Sequence, residues 1–501
     1  MTRTDLTPQP GRPVAIAVRP GPGAAAWATV LEQAGWSHAE QGWRDAPVAV
    51  TTGSVSRDER DWVEAGGALV VDAAVGGDGV LPTPARRVTV SGFEDPDGRR
   101  VVLPGSVAVF PGDGVGLLRV HEDRVVKHGL DQGRYALVHR VRLGRGQVLF
   151  TGARLTEGLI SHGDRLREVA DWSPVTERMA SVDKAGIAET LAWMVTDAAG
   201  LVGLPVVRRA AWPEGARSVF VLRVDVDGVY GERARRIGDV ARELGVRATF
   251  FLNRELSEAY PGDLGRWLDD HDVGQHADTH DLYDEPSADL HNLSAGEAWV
   301  RATTGRDPVG FVAPRGLWSP SLDEAIAALG HRWSSDFGLA TDGRPFWPVG
   351  PVLQVPVHAY SPERAARWAT EQGHPPPSAT AIRDHYLRHL EEQVARERPV
   401  HVYGHPEVLG AVAEQVLPPL VARVRALGLP VMTLDELARH WEARRRSTVA
   451  ARVTVDAAGE PLLCIHRTGP ATAVDVVLPR PMAVALDGEP QGVRSGQLTL
   501  Q

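Results

Sequence analysis

The chain has 501 residues, 43% of them hydrophobic and 24% charged, and carries a formal net charge of −10. That length suits about three domains, each able to bury a core, and the acidic balance argues against nucleic acid or an anionic membrane as the main partner. A single cysteine, Cys464, excludes both an internal disulfide and a cluster of thiolate metal ligands.

The opening "MTRTDLTPQPGRPVAIAV" offers only a short apolar run before an arginine, too brief for the core of a signal peptide, and a cytoplasmic location is expected. No stretch is apolar for the roughly 18 residues that a membrane span needs. From residue 13 to about 155, short apolar runs alternate with helical patterns. "PVAIAV", "PVAVTTG" and "GALVVDAA" end in turn residues as buried parallel strands do. "AAAWATVLEQAG" and "SRDERDWVEAGG" between them have helical spacing and a glycine stop. "SVAVFPG" follows, then a hairpin turning at "GRG" within 135–152, and a helix at 184–200. This pattern predicts a flavodoxin-like α/β sandwich, and "WVEAGGALVVD" resembles domains related to class I glutamine amidotransferases. Such chemistry needs a cysteine at a strand-to-helix turn, and the only cysteine lies near the other terminus, so residues 1–203 are expected to bind or scaffold rather than catalyse.

A Pro- and Gly-punctuated stretch at 203–218 leads into repeated strand–helix units over 215–446, which predict a distorted β/α barrel. Its first strand ends in "VLRVDVDGVY". Asp225 and Asp227, two apart, project from one face of that strand, and Gly228 then turns the chain. Desolvating paired carboxylates costs several kcal/mol, roughly, so a cation should compensate. In "DVGQHADTH", His276 and His280 stand four apart, on one helical face or across a tight turn, a spacing that grips borderline metal ions. "GFVAPRGLW" (310–318), "RWSSDFG" with Asp336, and "VHVYGHPE" with His405 between glycine and proline complete the set. Each element alone is weak, since solvated turns and capping residues look the same. From 448 the chain alternates without helical spacing to residue 501, which predicts a small antiparallel β module.

In their order, and with "ARELGVRATFFLN" (241–253), these motifs resemble the NodB-type polysaccharide deacetylases of carbohydrate esterase family four. The resemblance covers under half of the chain and implies a (β/α)7 barrel. It makes Asp225 the general base, Asp227, His276 and His280 the metal ligands and His405 the general acid. The implied ion is divalent, zinc first, with Co²⁺, Mn²⁺ or Ni²⁺ as alternatives. Three departures stand out: Val226 separates the two aspartates, Ala277 replaces a Ser or Thr, and Val312 stands where an arginine usually holds the base. Arg315 is the nearby candidate to reach Asp225 or to contact substrate.

The implied reaction is hydrolysis of an N-acetyl or other N-acyl amide on an amino sugar or glycoconjugate. Asp336 is expected to orient His405. Backbone N–H groups at Arg315 and Gly316 are expected to stabilise the oxyanion, and Trp318 and Trp333 to stack on sugar or to fill core. Two rivals stand beside this reading: hydrolysis of another linear amide, such as a ureide, on the same barrel, and a catalytically silent carbohydrate-binding protein.

Overall fold

The computed structural model describes residues 13–39, 42–76, 79–84, 86–110, 118–122, 125–126, 129–130, 134–165, 177, 179–228, 231–257, 268–348, 350–470 and 472–501. They group into two compact units. Unit 1 comprises residues up to 161, 182–215 and 443–501, and unit 2 comprises 162–181 and 216–442.

In unit 1, the apolar runs form a six-stranded sheet in the order Val138–Leu143, Gly146–Thr151, Ala68–Asp72, Val48–Thr52, Ile16–Val18, His38–Ala39. All pairs are parallel except the edge hairpin Val138–Leu143 with Gly146–Thr151. Alternation along each strand sorts the side chains to two faces. Val48, Val50 and Val70 pack with Trp27, Leu31, Leu191 and Met194 of the helices Ala24–Ala34 and Lys184–Leu201. Ala49, Leu69 and Val71 pack on the other side with Val63 of the helix Arg57–Glu64. A second, four-stranded antiparallel sheet spans Arg86–Ala136, an element absent from the sequence reading.

The C-terminal strands do not form a module by themselves. Val206–Arg209 pairs antiparallel with Val474–Val477, so the 203–218 stretch, read as a linker, contributes a strand to this sheet. The expected all-antiparallel character also needs correction, because Leu462–Ile465 runs parallel to Ala483–Leu486. The long strand Val474–Leu486 also pairs antiparallel with Glu489–Leu500, with an irregular register between Leu478 and Met482, and so serves three neighbours. Arg209, 3% exposed, donates to the carbonyls of Trp36, Arg444 and Ser447 and pairs with Glu32 at 3.0 Å. Arg444 answers with bonds to the carbonyls of Ala210, Glu32 and Gln33.

In unit 2, Asp272–Gln275, Thr249–Leu252, Phe220–Val226 and Val400–Gly404 form a parallel sheet in that order. Single parallel bridges extend it from Gln275 to Phe311 and on to Ser334, whose strand pairs in parallel with Leu353–Gln354. Phe220–Val226, Thr249–Leu252 and Val400–Gly404 are buried on both faces, as parallel strands are. Among the described residues, no bridge joins Leu353–Gln354 to Val400–Gly404, so the arc stays open there. The surrounding helices start where the sequence offers a cap. Ser319, Ser361 and Ser378 each accept a backbone N–H of the first turn, and proline follows two of them. Because the arc is parallel, its C-terminal strand ends share one edge, and Asp225, His276, Phe311, Asp336 and His405 all lie at that edge. No helix among the described residues is long and apolar enough to cross a membrane.

Candidate active site

Asp225, next to last in the strand Phe220–Val226, is 2% exposed. Its partner is Arg223, two residues earlier and on the same face. Arg223 Nε and Nη2 meet Asp225 Oδ1 and Oδ2 at 2.8 and 2.7 Å, the bidentate fork geometry. The fully buried guanidinium also donates to the Ser335 carbonyl at 2.6 Å and lies over the rings of Tyr403, Phe251 and Phe337. Arg315 is therefore not the residue that holds Asp225. It sits at φ 58 on the rim, exposed, with Nη2 2.9 Å from Asp281 Oδ1.

Asp227 follows, its N–H bonded to the Asp225 carbonyl. Its Oδ1 lies 3.6 Å from His276 Nε2 and its Oδ2 3.2 Å from His280 Nε2. One ligand atom from each of the three lies within 4.8 Å of the others. Metal–ligand bonds of about 2.0 Å in a tetrahedron put ligand atoms about 3.3 Å apart, so these separations fit a transition ion. Asp227 Oδ1 and His280 Nε2 are buried without a hydrogen-bond partner, and an ion would satisfy both. His276 Nδ1 bonds the Val312 carbonyl at 2.7 Å, which leaves Nε2 as the lone-pair nitrogen. Burial pushes the Asp227 carboxyl up, but His276, His280 and His405 outweigh it and hold the group well below the usual carboxylate range. Burial lowers His276 and favours the neutral imidazole that ligates.

The segment 276–280 is a tight turn after the strand Asp272–Gln275, not a helix. Two asparagines hold it. Asn253 donates to the carbonyls of His276 and Ala277, and Asn292 Oδ1 accepts the N–H groups of Asp278 and Thr279. Ala277 takes φ 61 and is fully buried. Gly296 lets the helix Pro286–Thr304 approach, since a Cβ there would sit 2.6 Å from the Ala277 carbonyl carbon.

His405 follows the strand Val400–Gly404. Its Nδ1 faces Glu363 Oε2 at 3.4 Å, and its Nε2 lies 3.1 Å from the Tyr403 hydroxyl and 3.6 Å from Asp227 Oδ2. Burial opposes its charge, but Glu363, Asp227 and Asp225 raise it to about 10. The expected orienting role of Asp336 is thus taken by Glu363, whose other oxygen accepts the N–H groups of Val408 and Leu409. Asp336 instead accepts the Ala313 N–H at 2.7 Å, and burial pushes it up to about 7.

The remaining expectations divide. Gly316 lines the cleft but spends its N–H on the Ala313 carbonyl, so it does not supply the expected oxyanion donor. Its φ of 63, and Phe337 only 1.8 Å from where a Cβ would stand, explain the glycine. Trp318 packs against Leu339, Ala340 and Phe346 and does not line the cleft. Trp333 is core, its indole N–H on Asp435.

An open cleft joins Asp225, Asp227, His276, His280 and His405, with Arg364 and Arg367 on its wall. Glu177 also lines it, from a segment that the sequence reading placed with the N-terminal domain. Arg223, Glu363, Tyr403 and Glu177 were not singled out in the sequence. Only Arg223 had a usable signal, a lone arginine two residues before Asp225 in an apolar strand.

No curated protein sequence matches the chain. Solved structures similar to part of it include a Mycobacterium smegmatis protein described as a polysaccharide deacetylase, at 18% identity and TM-score 0.41, over 47% of this chain and 94% of that one. The peptidoglycan deacetylase PdaC of Bacillus subtilis aligns at 17% identity and TM-score 0.30, over 46% of this chain and 93% of that one. BA3943 of Bacillus anthracis, a CE4 family pseudoenzyme, aligns at 17% identity and TM-score 0.29, over 44% of this chain and 65% of that one. Residues 215–334, which carry Asp225, Asp227, His276 and His280, match the model of the polysaccharide deacetylase family.

Proposed function

We propose that unit 2 hydrolyses the N-acetyl, or a related N-acyl, amide of an amino-sugar glycan or glycoconjugate. The observation that carries this reading is the convergence of three ligand atoms from Asp227, His276 and His280 within 4.8 Å. The Asp225–Arg223 pair and the His405–Glu363 pair line the same cleft or support groups that do. Asp227, His276 and His280 would hold a divalent ion, zinc first, with Co²⁺, Mn²⁺ or Ni²⁺ as alternatives. Such an ion, when bound, acidifies water and polarises an acyl carbonyl.

Asp225 takes the proton of the attacking water. Arg223 keeps it aimed, and a carboxylate has lone pairs left after a bidentate contact. His405, charged and held through Nδ1 by Glu363, gives a proton from Nε2 to the departing amine. Arg223 so fills the place that Val312 leaves empty.

Acetate release from acetylated amino sugars by metal-replete protein tests the reading. Asp225→Asn should keep the ion and lose about 10²–10⁴-fold in turnover, and His276→Ala should lose the ion itself. Turnover of small linear amides without any acetate from sugars would shift the assignment to an amide hydrolase of the ureide type. Sugar binding without turnover would leave a silent carbohydrate-binding protein.

A further inference from the structure

A second group of imidazoles in unit 2 lies outside the machinery just described. Asp342 follows Thr341, which bridges to Val357, and His358 follows Val357, so the two side chains arrive from neighbouring extended segments. His385 and His389 stand four apart on the helix Ala379–Ala395 and share a face. His401 lies on the strand Val400–Gly404, four residues before His405, or about 13 Å along the strand at its usual rise.

The donor atoms lie close together, with the rings of His358 and His389 stacked at 3.6 Å between centroids, so that one ring turns when both ligate. Asp342 Oδ1 is 2.8 Å from His358 Nδ1 and 3.9 Å from His389 Nε2. One ligand atom from each of Asp342, His358 and His389 lies within 4.8 Å of the others. These separations straddle the 3.3 Å or so of a tetrahedral ion. His385 Nε2 lies 3.0 Å from His358 Nε2, the ring nitrogen opposite the one that faces Asp342, and so holds that ring from behind.

Hydrogen bonding alone does not satisfy the group. If His358 donates from Nδ1 to Asp342, its Nε2 can only accept, and His385 fills it. His389 is 4% exposed, and its Nε2, which faces Asp342, has no hydrogen-bond partner. His401, 1% exposed, likewise has a buried Nε2 without one. Burial lowers His385, His389 and His401, which favours the neutral, ligating form. Arg398 offsets part of the Asp342 charge. Two imidazoles with one carboxylate form a donor set for a borderline transition ion rather than for calcium or magnesium.

We propose that Asp342, His358 and His389, with His385 holding the His358 ring, bind a second divalent transition-metal ion, separate from the Asp227 set. Held there, the ion staples the two extended segments to the helix Ala379–Ala395.

Counting ions tests this. Wild-type protein and His276→Ala, which removes a ligand of the Asp227 set, are stripped with chelator and dialysed against buffered Zn²⁺. Metal per chain is then measured by elemental analysis. Two ions are expected in the wild type and one in His276→Ala, and adding Asp342→Asn to His276→Ala should weaken the remaining ion at least ten-fold. A wild-type chain that binds one ion, lost on His276→Ala, overturns the proposal, as does an ion that survives the double substitution unweakened. Where the double variant unfolds, His389→Gln in the same background and the wild-type count decide. Failure here leaves the deacetylase reading standing, because that reading is judged by the ion sensitive to His276→Ala.

Discussion

Placing a guanidinium at 223 and a carboxylate at 225 meets a desolvation cost within one strand, because side chains two apart share a face. Arg223→Met leaves Asp225 buried and unpaired, and the expected loss is about 3–5 kcal/mol of stability in denaturant unfolding. Arg223→Lys keeps the charge but not the fork. It should lower kcat more than it raises KM, because Asp225 loses the two parallel bonds that aim it. His405 carries the opposite perturbation. Its folded-state value, about 10 against an ordinary 6.5, means that the folded protein binds the extra proton between them. That stabilisation is complete below about pH 6.5 and lost as pH climbs through 10. Urea unfolding of metal-stripped protein should show this decline, and Glu363→Gln should flatten it. The residues that carry the motifs were legible in sequence because each ends a strand with its own local signature. Glu363 was not, since it reaches His405 from a helix 42 positions away and nothing local marks it. Asp336 misled for the same reason: a buried acid after a strand gives no hint of which neighbour it faces, and the Ala313 N–H takes it.

At the scale of elements, the His276–His280 turn depends on a close helix. Gly296→Ala would press a Cβ onto the Ala277 backbone, which two asparagines already hold, so the turn or the helix must shift. The expected result is a loss of at least ten-fold in Zn²⁺ affinity in competition with a chelator, with the Arg223–Asp225 pair untouched. The spacing of the two histidines allowed either a helix or a turn. Only the depth of Gly296 and the bonds of Asn253 and Asn292 decide for the turn, and these are tertiary facts. The buried parallel strands were readable as apolar runs because both faces are covered. The antiparallel sheet over Arg86–Ala136 was missed because its first strands, such as "RRVTVSGFE", are charged and broken by glycine.

At the scale of the molecule, the sequence suggested three consecutive segments, 1–203, 215–446 and 448–501, whereas contacts group the described residues into two interleaved units. Alternating patterns announce strands but not their partners, and Val206–Arg209 finds its partner more than 260 residues later. Removing residues 448–501 should leave that strand without its partner Val474–Val477 and expose Val207. In limited proteolysis, fragments from 13–203 should then be digested sooner than those from 216–442. The same interleaving orders events during synthesis. Residues 162–181 and 216–442 are all made before the strands that finish unit 1, so unit 2 can reach its native state first. The first 161 residues, although oldest, wait longest for their partners, and a chain released near residue 445 would hold all of unit 2 but lack the end of unit 1.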